Sequence, residues 1–188
     1  MRKVISLMHL SLDGFAAAPD EGLDWTVMDD EMYPFTTKLF ADVDTAIYGR
    51  KTYEGMRDYW PTVPGNPEST PDERVHAEWV EHVAKVVCST TLQQVDWTNS
   101  RLIKSDLAGE INTLKRQPGK SLMIFGSPRL VHAFMEHDLI DEYRLFIDPV
   151  LLGAGLSFFN HSSERTRLTL IESKTFRNGV VHVAYERA

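Results

Sequence analysis

Short apolar runs alternate with stretches of helical spacing along most of this chain. That alternation limits the possible fold more than any single motif does. Apolar runs stand at residues 4–10, 46–48, 86–88, 102–103 and 122–125. Helical spacing fills residues 29–41, 52–57, 72–83, 108–117 and 129–137. In the first of these helices Phe35, Leu39 and Phe40 fall on one side. Residues 142–148 alternate Tyr143, Leu145 and Ile147 against Arg144, Phe146 and Asp148, the period-two pattern of a strand. Two last runs, 168–175 and 180–186, flank Asn178-Gly179, a pair that favours a tight hairpin. Strands alternating with helices predict an α/β sheet, mostly parallel, to which the closing hairpin adds antiparallel strands. Residues 13–25 read as a long loop. Residues 61–71 hold four prolines and one glycine, and read as a surface loop inside one domain spanning residues 1–188.

Charge and composition remove several function classes. The net charge is −7 and the basic residues are scattered, so the concentrated cationic face of a nucleic-acid binder is missing. No apolar run approaches the roughly 20 residues of a membrane span. No basic amphipathic helix suits a membrane surface either. Arg2 and Lys3 followed by an apolar run resemble the start of a secretory leader. However, Asp13-Gly14 interrupts the run and no small-residue cleavage site follows, so the segment reads as a first strand and the expected compartment is the cytoplasm. The single cysteine, Cys88, excludes an intrachain disulfide and is expected to be a small buried apolar residue. His76 and His82, and His132 and His137, lack the i, i+4 spacing of a metal pair, so no metal site is expected. The Gly-x-Ser-x-Gly elbow of a nucleophilic hydrolase is absent.

Three predicted strand ends look alike. The run at 46–48 ends in Gly49-Arg50-Lys51-Thr52 and a helix, the run at 86–88 in Ser89-Thr90-Thr91, and the run at 122–125 in Gly126-Ser127-Pro128-Arg129 and a helix. In a parallel α/β sheet these ends share one edge, where ligands bind. A helix start offers free N–H groups and partial positive charge, and glycine lets a phosphate approach the backbone. Ser127 is placed to cap its helix and Pro128 fits the first turn. Arg50, Lys51 and Arg129 add full charges. Neither the P-loop nor the Rossmann glycine spacing is present. Taken together, the three ends predict a site for a molecule with several phosphates, such as a dinucleotide.

At these residues the chain becomes familiar. "SLDGFAA", "DTAIYGRKTYEGM", "IFGSPRLVHAF" and "DLIDEYRLFIDPVLLGAGLSFF" together resemble the RibD C-terminal, dihydrofolate-reductase-like family, over residues 3–186. The resemblance implies a three-layer fold with a mostly parallel central sheet, and a reductase that draws hydride from NADPH. It implies that Gly49, Arg50, Lys51 and Thr52 sit at the cofactor phosphates. Ser89 and Thr90, with Arg50, would lie near the ribose 2′-phosphate, and Gly126, Ser127, Pro128, Arg129 and Leu130 would cradle the pyrophosphate. The family often has a second glycine where this chain has Ser127. Residues 13–17 match the loop over the nicotinamide, where Ala16 and Ala17 leave room for a flat ring. A homodimer is also implied, with an exposed half of the sheet near residues 142–152 as the pairing surface.

Reduction of a C=N or C=O bond needs a proton as well as a hydride. Dihydrofolate reductases carry a carboxylate five residues after a loop tryptophan. Here Trp25 leads to Asp30, which is either that acid or part of an acidic helix start. Asp13 is the other candidate, or else a turn residue beside glycine. Trp25, Phe35, Tyr53 and Trp60 are candidates to stack a planar substrate, or are core. The riboflavin-pathway reductases carry an Asp-Asn-Pro or Asp-Asp-Pro element after the phosphate motif. This chain has "MRDYWPTVPGNP" there, which argues against their ribosylaminopyrimidine phosphate as substrate. The expectation is an NADPH-dependent reductase of a small heterocyclic or carbonyl substrate. A non-catalytic dinucleotide binder, or a reductase using a flavin or deazaflavin, is the alternative.

Overall fold

The computed structural model describes residues 1–159 and 165–188. In chain order the strands are β1 (Val4–Ser11), β2 (Phe15–Ala17), β3 (Val43–Gly49), β4 (Ala84–Cys88), β5 (Ser100–Ile103), β6 (Ser121–Phe125), β7 (Glu142–Asp148), β8 (Leu156–Ser157), β9 (Leu168–Thr175) and β10 (Val181–Arg187). The helices are α1 (Met32–Phe40), α2 (Arg50–Tyr59), α3 (Pro71–His82), α4 (Leu107–Arg116) and α5 (Pro128–Glu136). The main sheet runs β5-β4-β3-β6-β1-β7-β10-β9. Strands β5, β4, β3, β6, β1 and β7 are mutually parallel, while β10 runs antiparallel to β7 and β9.

Parallel strands are covered on both faces, so their sequences are apolar throughout rather than alternating. Val4, Met8, Leu10, Leu122 and Ile124 face one side and pack on Ile111 of α4 and Val131 and Phe134 of α5. Ile5, Ala46, Tyr48, Met123 and Phe125 face the other and pack on Phe40 of α1, Tyr53 of α2 and Val80 of α3. The result is the three-layer arrangement that the resemblance implied. Cys88 is half-buried against the first layer, and burial pushes its thiol up to about 12, so it stays protonated and unreactive.

Several sequence expectations need correction. The first helix begins at Met32 rather than residue 29, because the Asp29 carboxylate accepts the N–H groups of Glu31 at 3.0 Å and Met32 at 3.2 Å and forms the turn before it. The predicted loop 13–25 contains β2, which pairs antiparallel with β8; three residues are too few to show a period. Residues 61–71 are not all loop. Trp60–Gly65 wind into a 3-10 turn, and Pro71 opens α3. Thr70 and Glu73 form a capping box there, with Thr70 N donating to Glu73 Oε2 at 2.8 Å. Finally, the sheet at β7 is not the expected exposed half, since β1 and β10 pair with it on either side and five of its seven residues are buried. Among the described residues the outermost strand on that side of the sheet is β9, which exposes Leu168, Leu170 and Ile171.

Candidate active site

The carboxyl ends of β3, β4, β6, β1 and β7 lie on one edge of the sheet, and there the polar chemistry gathers. Helix α2 starts directly after β3 with Gly49 as its extended N-cap. Helix α5 starts after β6 through two consecutive left-handed residues, Gly126 at φ +53° and Ser127 at φ +54°. Glycine adopts that conformation freely, whereas serine is strained in it. This is the physical reason a glycine suits position 127.

Hydrogen bonds hold the serine there. Its Oγ accepts the Gly49 N–H at 2.9 Å. Its single proton goes either to Thr52 Oγ1 at 2.8 Å or to the Phe125 carbonyl at 3.1 Å. Ser127 occupies the N-cap position, but its side chain makes no bond to its own helix, so the capping expectation is corrected. The hydroxyl is instead a strut between two helix starts. Each start carries a partial positive charge toward the edge. At α5 Pro128 has no N–H and the Leu130 N–H goes to the Ser127 carbonyl at 2.8 Å, which leaves the Arg129 N–H without a backbone partner among the described residues.

Full charges add to these dipoles. Lys51 Nζ and Arg129 Nη2 both reach the carboxylate of Glu21, one to each oxygen, with Arg129 at 3.0 Å. Glu21 rides on the loop before α1 at φ +65°. The Lys51 ammonium, helped by Arg129, holds the Glu21 carboxyl below the usual carboxylate range. A carboxylate of the protein thus stands where positive charge from two strand ends converges. Trp25 steadies the same loop, its Nε1 donating to the Gly22 carbonyl at 3.1 Å. The corner offers two cations and two helix starts, a combination that suits an anion.

The other predicted cofactor residues are placed less simply. Arg50 is exposed and pairs with Glu54 one turn on. Ser89 Oγ closes its own turn by accepting the N–H groups of Thr91 at 3.2 Å and Leu92 at 3.1 Å, and Thr90 is exposed beside it. Pro128 and Leu130 lie in the first turn of α5, with Leu130 packed against the core. Ala16 and Ala17 are buried in the β2–β8 ribbon.

Asp13 acts as a clasp. Its carboxylate accepts the Ser11 hydroxyl at 2.6 Å and the backbone N–H groups of Leu152 at 3.2 Å and Gly153 at 2.8 Å. The Ser11 hydroxyl first, and those N–H groups next, hold its carboxyl below the usual range. A carboxylate so stabilised in its charged form is a poor proton donor at neutral pH. Asp30 is exposed, and among the described residues it takes part in no hydrogen bond.

The candidate aromatic residues separate. Tyr53 is 1% exposed, and its hydroxyl accepts the N–H groups of Asp96 at 3.1 Å and Trp97 at 3.0 Å. It is a core residue and cannot stack a substrate. Trp60 packs on His76 at 4.2 Å between ring centres, and its Nε1 points to Met56 Sδ. Phe35 instead meets Phe146, Phe176 and His182 edge-on at 6.2, 5.4 and 4.8 Å.

Beside Phe35 lie two residues that sequence reasoning missed. His9, near the end of β1, stacks on Phe146 of β7 with ring centres 4.8 Å apart. Its Nδ1 is 2.8 Å from Oδ2 of Asp148, which is 0% exposed. The other Asp148 oxygen accepts the Val27 N–H at 2.8 Å. His9 interrupts the apolar run of residues 4–10 with one polar side chain, which by itself points to no partner. Only the parallel register, which sets His9 against Phe146 and Ser11 against Asp148, brings the pair together. Behind Phe146, His182 of β10 is fully buried, and among the described residues neither ring nitrogen has a hydrogen-bond partner.

The family model for the RibD C-terminal domain matches residues 2–182. The chain belongs to the RibD C-terminal domain family. Among curated proteins, YyaP of Bacillus subtilis is 33% identical over 184 residues, covering 98% of this chain and 94% of YyaP. YwjB of the same organism is 29% identical and covers 100% of this chain and 99% of YwjB. Both carry the description "uncharacterized". Among solved structures, a putative riboflavin biosynthesis protein from Shewanella sp. PV-4 aligns with a TM-score of 0.74 at 22% identity, covering 99% of each chain. Acinetobacter baumannii RibD aligns at 0.72 with 17% identity, covering 100% of this chain and 58% of RibD. These alignments establish the RibD-like fold. Among the described residues, no helix is long and apolar enough to cross a membrane.

Proposed function

We propose that this RibD C-terminal-type chain is an NADPH-dependent reductase of a small planar heterocyclic or carbonyl substrate. The observation that carries the reading is the meeting of Lys51 and Arg129, from two different helix starts, on the single carboxylate of Glu21. Linked phosphates call for positive charge from both starts at once, which one ordinary helix cap does not provide. Lys51, Arg129 and the backbone around Gly49 and Gly126 hold the phosphates in place of Glu21. Ser89, Thr90 and Arg50 lie toward a ribose 2′-phosphate. When bound, the cofactor supplies the hydride. Asp13 fastens the 152–153 segment at the edge. Half-buried Phe35, backed by the buried Phe146, offers an aromatic contact for a flat substrate. Two copies are proposed to pair through the exposed apolar edge strand β9, which light scattering tests.

The cofactor reading is tested by titrating the protein with NADPH and with NADH, following tryptophan quenching and confirming by calorimetry. Tight NADPH binding with much weaker NADH binding is expected. No binding of either overturns the nicotinamide reading. A screen of pteridines, pyrimidines and small carbonyl compounds with bound NADPH follows, and failure of every acceptor to oxidise it overturns the reductase reading.

A further inference from the structure

We infer that His9 is the proton donor of the reduction and that Asp148 is its positioning residue. The inference rests on the reductase reading above. Neither predicted acid suits the task. Asp13 is held charged by three donors, and Asp30 is exposed at the turn before α1.

The geometry around His9 is built from both sides. A buried carboxylate is costly unless its oxygens are hydrogen-bonded. Asp148 is fully buried, and its two oxygens take one N–H each, from Val27 and from His9. That fixes the imidazole with its proton on Nδ1, and Phe146 fixes the plane of the ring. The remaining nitrogen, Nε2, has no hydrogen-bond partner among the described residues, and the side chain is 24% exposed. A ring held on one nitrogen and one face, and open at the other nitrogen, is arranged to exchange protons.

Its place in the sheet agrees. Strand β1 lies next to β6 and two steps from β3. At about 4.8 Å per step, His9 is within about 10 Å of the strand that ends at the phosphate corner. Phe35, the one predicted aromatic residue beside it, packs on the same Phe146 ring. In the step itself, hydride from a reduced nicotinamide forms the new C–H bond of a C=N or C=O group. The π electron pair moves to the nitrogen or oxygen, which takes the Nε2 proton of a His9 imidazolium that has gained that proton from solvent beside the Asp148 carboxylate. His9 returns to its neutral form with the proton on Nδ1, and the nicotinamide leaves oxidised.

Two measurements test this. The first needs no substrate: long-range proton–nitrogen correlation of the histidine rings, with His9 assigned through its loss in His9→Gln. The expected result is a neutral His9 carrying its proton on Nδ1, redistributed in Asp148→Asn. A neutral His9 with its proton on Nε2 overturns the assignment. The second is single-turnover oxidation of bound NADPH by an acceptor from the screen. His9→Gln is expected to slow it by about 100-fold, with NADPH affinity within about twofold of wild type and partial rescue by added imidazole. An unchanged rate, or an equal loss of NADPH affinity, overturns the donor role. If no acceptor turns over, the reductase reading and the donor role fall together. The NADPH titration then judges the phosphate corner separately.

Discussion

Removing the Ser127 hydroxyl tests whether that side chain ties the two helix starts together. In Ser127→Ala the Gly49 N–H loses its acceptor at 2.9 Å, and the bond to Thr52 or Phe125 is lost as well. A donor left unpaired costs about 1–3 kcal/mol when fully buried, toward the lower end for the half-buried Gly49 N–H, and a lost neutral hydrogen bond costs about 1 kcal/mol. Alanine also keeps the left-handed strain at φ +54°. The expected loss is about 2–3 kcal/mol, or a fall in Tm of about 4–12 °C for a chain of this size. Ser127→Gly loses the same bonds but relieves about 1–2 kcal/mol of backbone strain. Part of that gain is offset by the greater freedom of glycine in the unfolded chain, about 0.4–1 kcal/mol. The glycine variant should therefore be more stable than the alanine variant by about 0.5–1 kcal/mol, while both stay below wild type. Urea unfolding with a common m-value measures all three. An alanine variant as stable as wild type would mean that Gly49 N–H has another partner. A glycine variant weaker than alanine would mean that position 127 carries no left-handed strain. Either result refutes the reasoning.

Other expected outcomes follow from the same edge. Glu21→Gln should tighten NADPH binding several-fold, because the competing carboxylate is gone, while Lys51→Met should weaken it by about fivefold, on the order of 1 kcal/mol; the same shift in both variants would contradict the shared corner. Burial pushes His182 down to about 4, and burial among Trp60, Trp79 and Phe40 does the same to His76. The unfolded chain therefore binds more protons between the ordinary histidine value of 6.5 and about 4, so stability falls as pH falls through that window, by up to about 1.4 kcal/mol per pH unit for each group. His182→Leu should flatten that slope in urea unfolding at pH 7 and pH 5, and an unchanged slope would exclude His182 as a source. Asp13, lowered by the Ser11 hydroxyl, holds its clasp above the ordinary carboxylate range and releases it as pH falls through its lowered value. Asp13→Asn should thus speed hydrogen exchange of the Gly153 amide at neutral pH, and equal exchange rates would show that the clasp does not hold.

The alternation of apolar runs with helical spacing was enough to read the parallel sheet, and Asn178-Gly179 marked the closing hairpin, whose Gly179 sits at φ +90°. Both signals are local, and local signals survive folding. The glycine-and-cation strand ends were legible for the same reason, since a strand, a glycine and a helix start are neighbours in sequence. What escaped was chemistry made by distant residues. Glu21 meets Lys51 and Arg129 only because a loop folds back over two helix starts. Tyr53 looked like a ring available for stacking, yet α2 turns it inward, where it holds the Asp96-Trp97 backbone. His9 and Asp148 are 139 residues apart, and no spacing rule joins them.

The string Asp148-Pro149-Val150-Leu151-Leu152-Gly153-Ala154-Gly155 follows directly on β7, and no single local rule accounts for it. Its contacts supply the reason residue by residue. Asp148 holds His9 and Val27. The Val150 carbonyl accepts the Leu12 N–H at 2.8 Å. Leu152 and Gly153 give their N–H groups to Asp13. At Gly155, with φ +149°, a side chain would bring Cβ to 2.1 Å from the Ala17 carbonyl oxygen, so only glycine lets β8 close on β2. Each of these partners lies in residues 9–27, the end of β1 and the loop beyond it. The segment after β7 and the segment after β1 are therefore one structural unit, fastened at Asp148, at Asp13 and across the β2–β8 ribbon. Glu21 and Trp25 ride on that unit, so displacement of Glu21 by a phosphate would be felt through Val27 at Asp148 and His9. The Lys51–Arg129–Glu21 corner and the His9–Asp148 pair thus share one loop, which joins the proposed cofactor site to the proposed proton donor.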